Sequence, residues 1–180
     1  MAAKVLCILV DGVEEIELVT PVDILRRAGA EVVMATSGAG GEVVGKMGIR
    51  IRADAFLSGI DPSAFDALLL PGGPAVAVLR KEEGMVSLVR SFGDAGKVVA
   101  GICAAPLLLH DAGLLEGRRH TAHFTTHKEL MAAEGEEGVI VDASLVTSRG
   151  AGTAVEFGLA LAALLEGEEA VKEVAEAIMA

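Results

Sequence analysis

The stretch "VVAGICAAPLLLHDAGLL" (98–115) places Cys103 at a change of local preference. Val98-Val99-Ala100 is short and β-branched. Ala104 to Leu115 is rich in alanine and leucine, with Pro106 near its start and Gly113 near its end, the pattern of a helix. The cysteine therefore sits on a strand-to-helix turn, where Gly101, Ala104 and Ala105 are small enough to let the chain bend sharply. Backbone N–H groups at the start of the new helix then point at the sulfur and favour its thiolate, the nucleophilic form. A free cysteine packed as a small apolar residue is the competing account.

Other residues bear on the choice. Gly72 and Gly73 follow the apolar run "LLLP" and supply backbone amides which, with the amide of Ala104, form donors for the oxygen of an attacked carbonyl; closing a tight turn is their simpler role. Glu14, Glu15 and Glu17 open the first helix, where two of them complement the positive end of the helix dipole. Glu17 lies between Ile16 and Leu18, a context that predicts an inward, partly desolvated carboxyl able to keep its proton near neutrality and donate it to a thiolate. Together the helix start and that proton predict a Cys103 thiol ionised well below the ~8.5 of free cysteine. Among the histidines, His110 reads as structural, whereas His120, His123 and His127 cluster in "RRHTAHFTTH" and any of them suits the base of a Cys-His pair.

Several chemistries find no support. Cys7 lies within "KVLCILV", a buried strand in which it packs as an apolar residue. No Cys/His spacing matches a zinc site, no Lys-Ser or Lys-Thr follows "PGGP" as a phosphate loop requires, and "GAGTAVEF" lacks the full dinucleotide fingerprint.

The elements that must position these residues alternate. Strands are expected at 4–10, 31–37 and 66–70, at the run before Cys103, and twice within 138–148. Helices are expected at 14–29 (kinked or restarted at Pro21 and ended at Gly29), 79–92, after Cys103, from near Thr126, before Gly167 and over 168–180. The segment 40–54, with Gly45 and Gly48, reads as a hairpin outside the alternation. Such βα alternation with unbroken apolar strands implies an α/β fold, a mainly parallel sheet with helices on both faces, and ligands bind there beyond the carboxyl ends of the strands. "DGVEEIE", "PGGP" and Cys103 all fall on that edge.

Composition bounds the rest. The 180 residues carry no linker or repeat, so one domain over 1–180 is expected, with 52% hydrophobic residues and five Phe but no Trp or Tyr. A net charge of −11 argues against nucleic acid and anionic membranes as partners. Neither a secretory signal nor a membrane-length apolar run is evident, so a cytoplasmic location is expected.

With "ILVDGVEEIELVTPVDILRRAG", "LLLPGG", "GICAAP" and "LVTSRGAGTAVEFGLAL" taken together, the chain resembles the ThiJ/PfpI superfamily over essentially its whole length, in the branch of the Parkinson's-disease-associated protein deglycase and bacterial YajL. The resemblance implies a flavodoxin-like α/β sandwich, usually a homodimer. It assigns Cys103 as the nucleophile, Glu17 as the carboxyl hydrogen-bonded to it, His123 as the histidine near the sulfur, and Gly73 and Ala104 as oxyanion donors. The implied activities are deglycation of proteins and thiols and a cofactor-free, metal-free glyoxalase reaction on small 2-oxoaldehydes such as methylglyoxal; redox sensing or redox-regulated chaperone action through a Cys103 sulfinate is the alternative. Two departures stand out. Ala104 occupies the position where the protease-like branch carries a histidine, which removes the base a peptidase would need. Lys46-Met47 occupies the place where some relatives carry an anion-binding arginine.

Overall fold

The computed structural model describes residues 2–180. Its centre is a seven-stranded sheet in the order β5-β2-β1-β6-β7-β9-β8. The strands are β1 (Lys4–Leu9), β2 (Glu31–Thr36), β5 (Ala55–Phe56), β6 (Ala67–Leu70), β7 (Val98–Ile102), β8 (Val139–Asp142) and β9 (Leu145–Ser148). All neighbours pair in parallel except β8 and β9, which form an antiparallel edge. In β1 every residue after Lys4 is buried, and β6 is buried throughout, as strands covered on both faces must be. A separate antiparallel hairpin, β3 (Glu42–Val44) and β4 (Arg50–Arg52), stands outside the sheet where the sequence places it.

The helices are α1 (Glu15–Arg27), α2 (Ala75–Leu79), α3 (Glu83–Asp94), α4 (Pro106–Asp111), α5 (Ala154–Glu166) and α6 (Glu168–Ile178). α1 packs on α5 and α5 on α6, while α3 and α2 pack on α4, so helices surround a mostly parallel sheet, the expected α/β sandwich. The chain leaves β1 towards β2 and later returns on the other side of β1 as β6. The crevice at the ends of β1 and β6 is thus a topological switch point, where such sheets bind ligands.

Some local expectations are corrected. α1 runs through Pro21 without restarting, because Pro21, Val22, Ile24 and Leu25 are buried and tertiary packing outweighs the lost hydrogen bond. The helix expected over 79–92 is two, α2 ending at Leu79 and α3 starting at Glu83, since Glu82 takes an extended conformation. The helix expected near Thr126 is only a 3₁₀ turn over Phe124–Thr126. That segment is held by non-helical bonds instead, Thr121 Oγ1 donating to Glu134 O and Glu134 N–H to His120 O. The two-residue edge strand β5 has no periodicity to announce it.

Candidate active site

Three turns meet on the carboxyl edge of the sheet: the one after β1, the one after β6, and Cys103 after β7. Cys103 has φ 64°, a left-handed conformation rare for a residue with a side chain. Its backbone is held on both sides, its N–H donating to Ser148 O at 2.8 Å and its carbonyl accepting from His123 N–H at 2.9 Å. The sulfur is half-buried. The strained turn is thus imposed by β9 on one flank and by the histidine segment on the other.

Glu17 is 1% exposed, and its Oε2 accepts from Gly72 N–H at 3.1 Å. Its carboxyl and Cys103 flank Gly72, and the carboxyl is electrostatically coupled to the thiol. Gly72 has no room for a side chain: a Cβ there would fall on Glu17 Oε2 and lie 2.8 Å from Cys103 Cβ. Gly73 adopts φ 90°, and a Cβ on it would sit 2.6 Å from Gly12 O. The two glycines therefore let the β6 turn slide between the β1 turn and the elbow, a contact fastened by Glu14 N–H to Gly72 O and Ala75 N–H to Gly12 O, each 3.2 Å.

The three glutamates divide differently from the sequence expectation. Glu14 caps α1, accepting from Glu17 N–H at 2.9 Å. Glu15 is buried and holds the hairpin loop, its Oε1 accepting from Met47 N–H at 2.7 Å and from Ile49 N–H at 3.3 Å. Two of the three carboxyls point inward, not one.

Electrostatics tie Glu17 and Cys103 into one unit. Burial pushes Glu17 up to about 7. Burial and the Glu17 charge push the Cys103 thiol up to about 12, against the lowering effect of the Gly73 and Ala104 amides. This corrects the expectation of a thiol ionised well below the usual range. The helix after the elbow starts only at Pro106 and has six residues, so its dipole is weak beside burial. Above neutrality the pair holds one proton on sulfur next to a carboxylate able to take it. Burial likewise raises the fully buried Cys7 thiol.

His123 is brought to the elbow through its backbone. Its Nδ1 accepts from Thr125 N–H at 3.4 Å and lies 2.8 Å from Thr125 Oγ1, which assigns the proton to Nε2, and its ring packs on Phe124. Burial and the Lys46 ammonium lower its pKa, so the ring is neutral at physiological pH. The Lys46 ammonium also favours the charged forms of Glu17 and Glu15, so the Lys46-Met47 segment places a positive charge on the site's side of the hairpin. A cavity of about 460 Å³ lies beside this segment, lined by His123, Phe124, His127, Arg149, Gly150 and Thr153. His127, one of the three clustered histidines, lines this cavity, whereas no local motif announces Arg149, which reaches it on the loop after β9. His120 is buried elsewhere, and His110, which reads from sequence as structural, is exposed at the end of α4. Among the described residues no three His, Cys, Asp or Glu side chains are grouped to hold a metal, and no helix is long and apolar enough to cross a membrane.

Comparison with known proteins agrees with this geometry. Protein dj-1beta of Drosophila melanogaster is 36% identical over 183 residues, covering 99% of this chain and 98% of that protein. The crystal structure of Drosophila melanogaster DJ-1beta superposes with a TM-score of 0.95 at 34% identity, covering 99% of this chain and 98% of that one. Deglycase TK1284 of Thermococcus kodakarensis is 38% identical over 149 residues, 81% of this chain and 89% of that protein. The family model described as DJ-1/PfpI family matches residues 3–164; with the elbow cysteine, the buried carboxyl beside it and the matching sheet, the chain belongs to the DJ-1/PfpI family.

Proposed function

We propose that the protein is a cysteine-dependent deglycase that also converts methylglyoxal to lactate, with Cys103 as nucleophile, Glu17 as acid and base, Gly73 and Ala104 as oxyanion donors and His123 positioning substrate. The observation that carries this reading is the Glu17 carboxyl, buried against the elbow sulfur and raised to about 7, a group poised to exchange protons at neutral pH. The deglycase name of TK1284 supports the substrate class of early adducts of 2-oxoaldehydes with amines or thiols.

With free methylglyoxal, the S–H bond breaks as the sulfur adds to the aldehyde carbon. The thiol proton passes to the Glu17 carboxylate, and the oxygen, held by the two amides, takes a proton to complete a hemithioacetal. Glu17 then takes the proton from that carbon and delivers it to the neighbouring carbonyl oxygen to give an enediol, whose first hydroxyl proton passes through Glu17 to the neighbouring carbon, giving a lactoyl thioester that water hydrolyses to lactate and free thiol. With a glycated amine, sulfur displaces nitrogen at the hemiaminal carbon, and the amine leaves with a proton from Glu17. The same hemithioacetal results, so one site serves both substrates. The alternative, a redox sensor or chaperone switched by oxidation of Cys103 to sulfinate, uses the same sulfur with Glu17 as hydrogen-bond donor to the oxidised product.

We infer further a single domain over 1–180 that works in the cytoplasm, where thiols stay reduced, without cofactor or metal and without nucleic acid or membrane partners. A homodimer is proposed because Ile16 and Val19 on α1 and Met47 and Ile49 on the hairpin are exposed apolar side chains on elements joined by the Glu15 bonds. Lactate production from methylglyoxal and amine release from methylglyoxal-treated Nα-acetyl-lysine test the enzyme reading. Wild type should catalyse both and Cys103→Ala neither. Retention of both by Cys103→Ala rejects that reading and leaves the redox one.

A further inference from the structure

Beside His120 lies a second cavity, about 420 Å³ in volume. Its lining includes His110, Leu115, Glu116, His120, Glu129 and Leu130. None of these residues takes part in the chemistry at Cys103. His120 is 3% exposed. Its Nδ1 lies 2.9 Å from Arg118 O; a carbonyl can only accept, so Nδ1 carries the proton and Nε2 is a bare lone pair. Nε2 has no hydrogen-bond partner among the described residues, while its ring forms part of the cavity wall. Nε2 is not sealed off from solvent, so this lone pair on the cavity wall is open to a donor from a ligand.

The surroundings specify the donor. Arg80 bonds two carboxylates, Asp111 at 2.6 Å and Glu129 at 2.8 Å, which leaves that cluster one net negative charge. Glu116 is exposed and forms no ion pair among the described residues. The neighbouring guanidinium groups are engaged elsewhere, Arg118 with Asp142 and Arg119 with Glu134. Leu115 and Leu130 are buried and give the wall an apolar portion. A lone pair, an excess of carboxylate and an aliphatic wall are complementary to a cation that has donors at one end and a hydrocarbon chain at the other. The net charge of −11 concentrates such cations near the protein.

We propose that this cavity binds a primary alkylammonium group, as a free amine or as the side chain of a lysine, with its N–H donated to His120 Nε2, its charge balanced by Glu116 and its methylenes against Leu115 and Leu130. The site is independent of the Cys103 chemistry.

The test uses n-pentylamine and Nα-acetyl-lysine N-methylamide as probes, titrated into the full chain at about pH 8, where both amines are protonated. Binding is followed by calorimetry and by the imidazole nitrogen resonances of His120. Saturable one-to-one binding with a Kd of the order of 1 mM is expected, together with a shift of the Nε2 signal and no competition from n-pentanol. His120→Asn keeps a donor at the δ position and removes Nε2; it should weaken binding about 10-fold or more, as loss of a hydrogen bond to a charged group does. His120→Gln, which restores an acceptor at the ε position, should regain part of it. Glu116→Gln changes an exposed residue and should weaken binding about 3-fold, which keeps the test decisive if the histidine variants misfold. Binding of pentylamine alone assigns a free amine, and binding of both probes admits a lysine side chain. No saturable binding to wild type, an unmoved Nε2 signal, equal competition by pentanol, or loss of binding on alkylation of Cys103 would each overturn the proposal.

Discussion

At the scale of the residue, Glu17 carries the most consequence. Its carboxyl is raised to about 7 by burial, so between its ordinary value and neutrality the folded protein binds a proton that the unfolded chain has released. Stability therefore falls as pH rises from about 4.5 through about 7, by at most about 3 kcal/mol. Glu17→Gln removes this dependence: relative to wild type it should gain about 1–3 kcal/mol between pH 5 and pH 8, measured by urea unfolding at the two values. Parallel stability in both proteins would contradict a buried, proton-retaining carboxyl. The same titration sets the activity. Glu17 must be ionised to take the thiol proton, so kcat/KM should rise with pH and level off above about 7. Glu17→Gln should lose most turnover and flatten that limb. His123→Ala should retain more, with a loss of about 10²-fold as for a positioning acid–base group. Cys7 is fully buried with a raised thiol, so iodoacetamide and mild peroxide should modify Cys103 first. Intact-mass and peptide analysis showing equal modification of both would count against the elbow's access to solvent.

At the scale of the element, the site depends on three turns lying closer together than side chains allow. Gly72→Ala would drive a Cβ onto Glu17 Oε2 and Cys103 Cβ, a contact between two pinned groups with little freedom to give. Overpacking of this kind costs about 1–3 kcal/mol. The expected result is a lower melting temperature together with a loss of activity larger than the fraction unfolded can explain, since the carboxyl and the sulfur are pushed apart. Unchanged kcat in a destabilised Gly72→Ala protein would show that their spacing does not matter. The hairpin plays a comparable part. Glu15 holds its loop by two backbone bonds and so keeps Lys46 near Glu17 and His123. Glu15→Ala frees those amides and should lower activity without moving the apparent pKa of Glu17 by much.

At the scale of the whole molecule, the acidic net charge opposes random association, while Ile16, Val19, Met47 and Ile49 leave an apolar surface next to the site. A second copy of the chain seated there would cover it. Sedimentation of wild type at micromolar concentration should give a dimer. Val19→Glu, on the exposed face of α1, should shift the protein to monomer with its secondary structure intact. A monomeric wild type would reject the dimer, and the enzyme reading would then stand on one chain alone.

What could be read without coordinates is what depends on local pattern. Unbroken apolar strands, alanine- and leucine-rich helices and glycine turns on one edge determined the α/β sandwich and led to Cys103, Glu17 and the Gly72–Gly73 turn, because periodicity and turn chemistry act over a few residues. Only the tertiary structure decided how those residues act on one another. Burial of Glu17 against the sulfur reverses the expected thiol ionisation, since desolvation depends on neighbours far along the chain. The inward turn of Glu15, the approach of Lys46 and the lone pair of His120 arise in the same way. In each, a polar atom is paired, charged or left bare by a segment that no local spacing could bring to it.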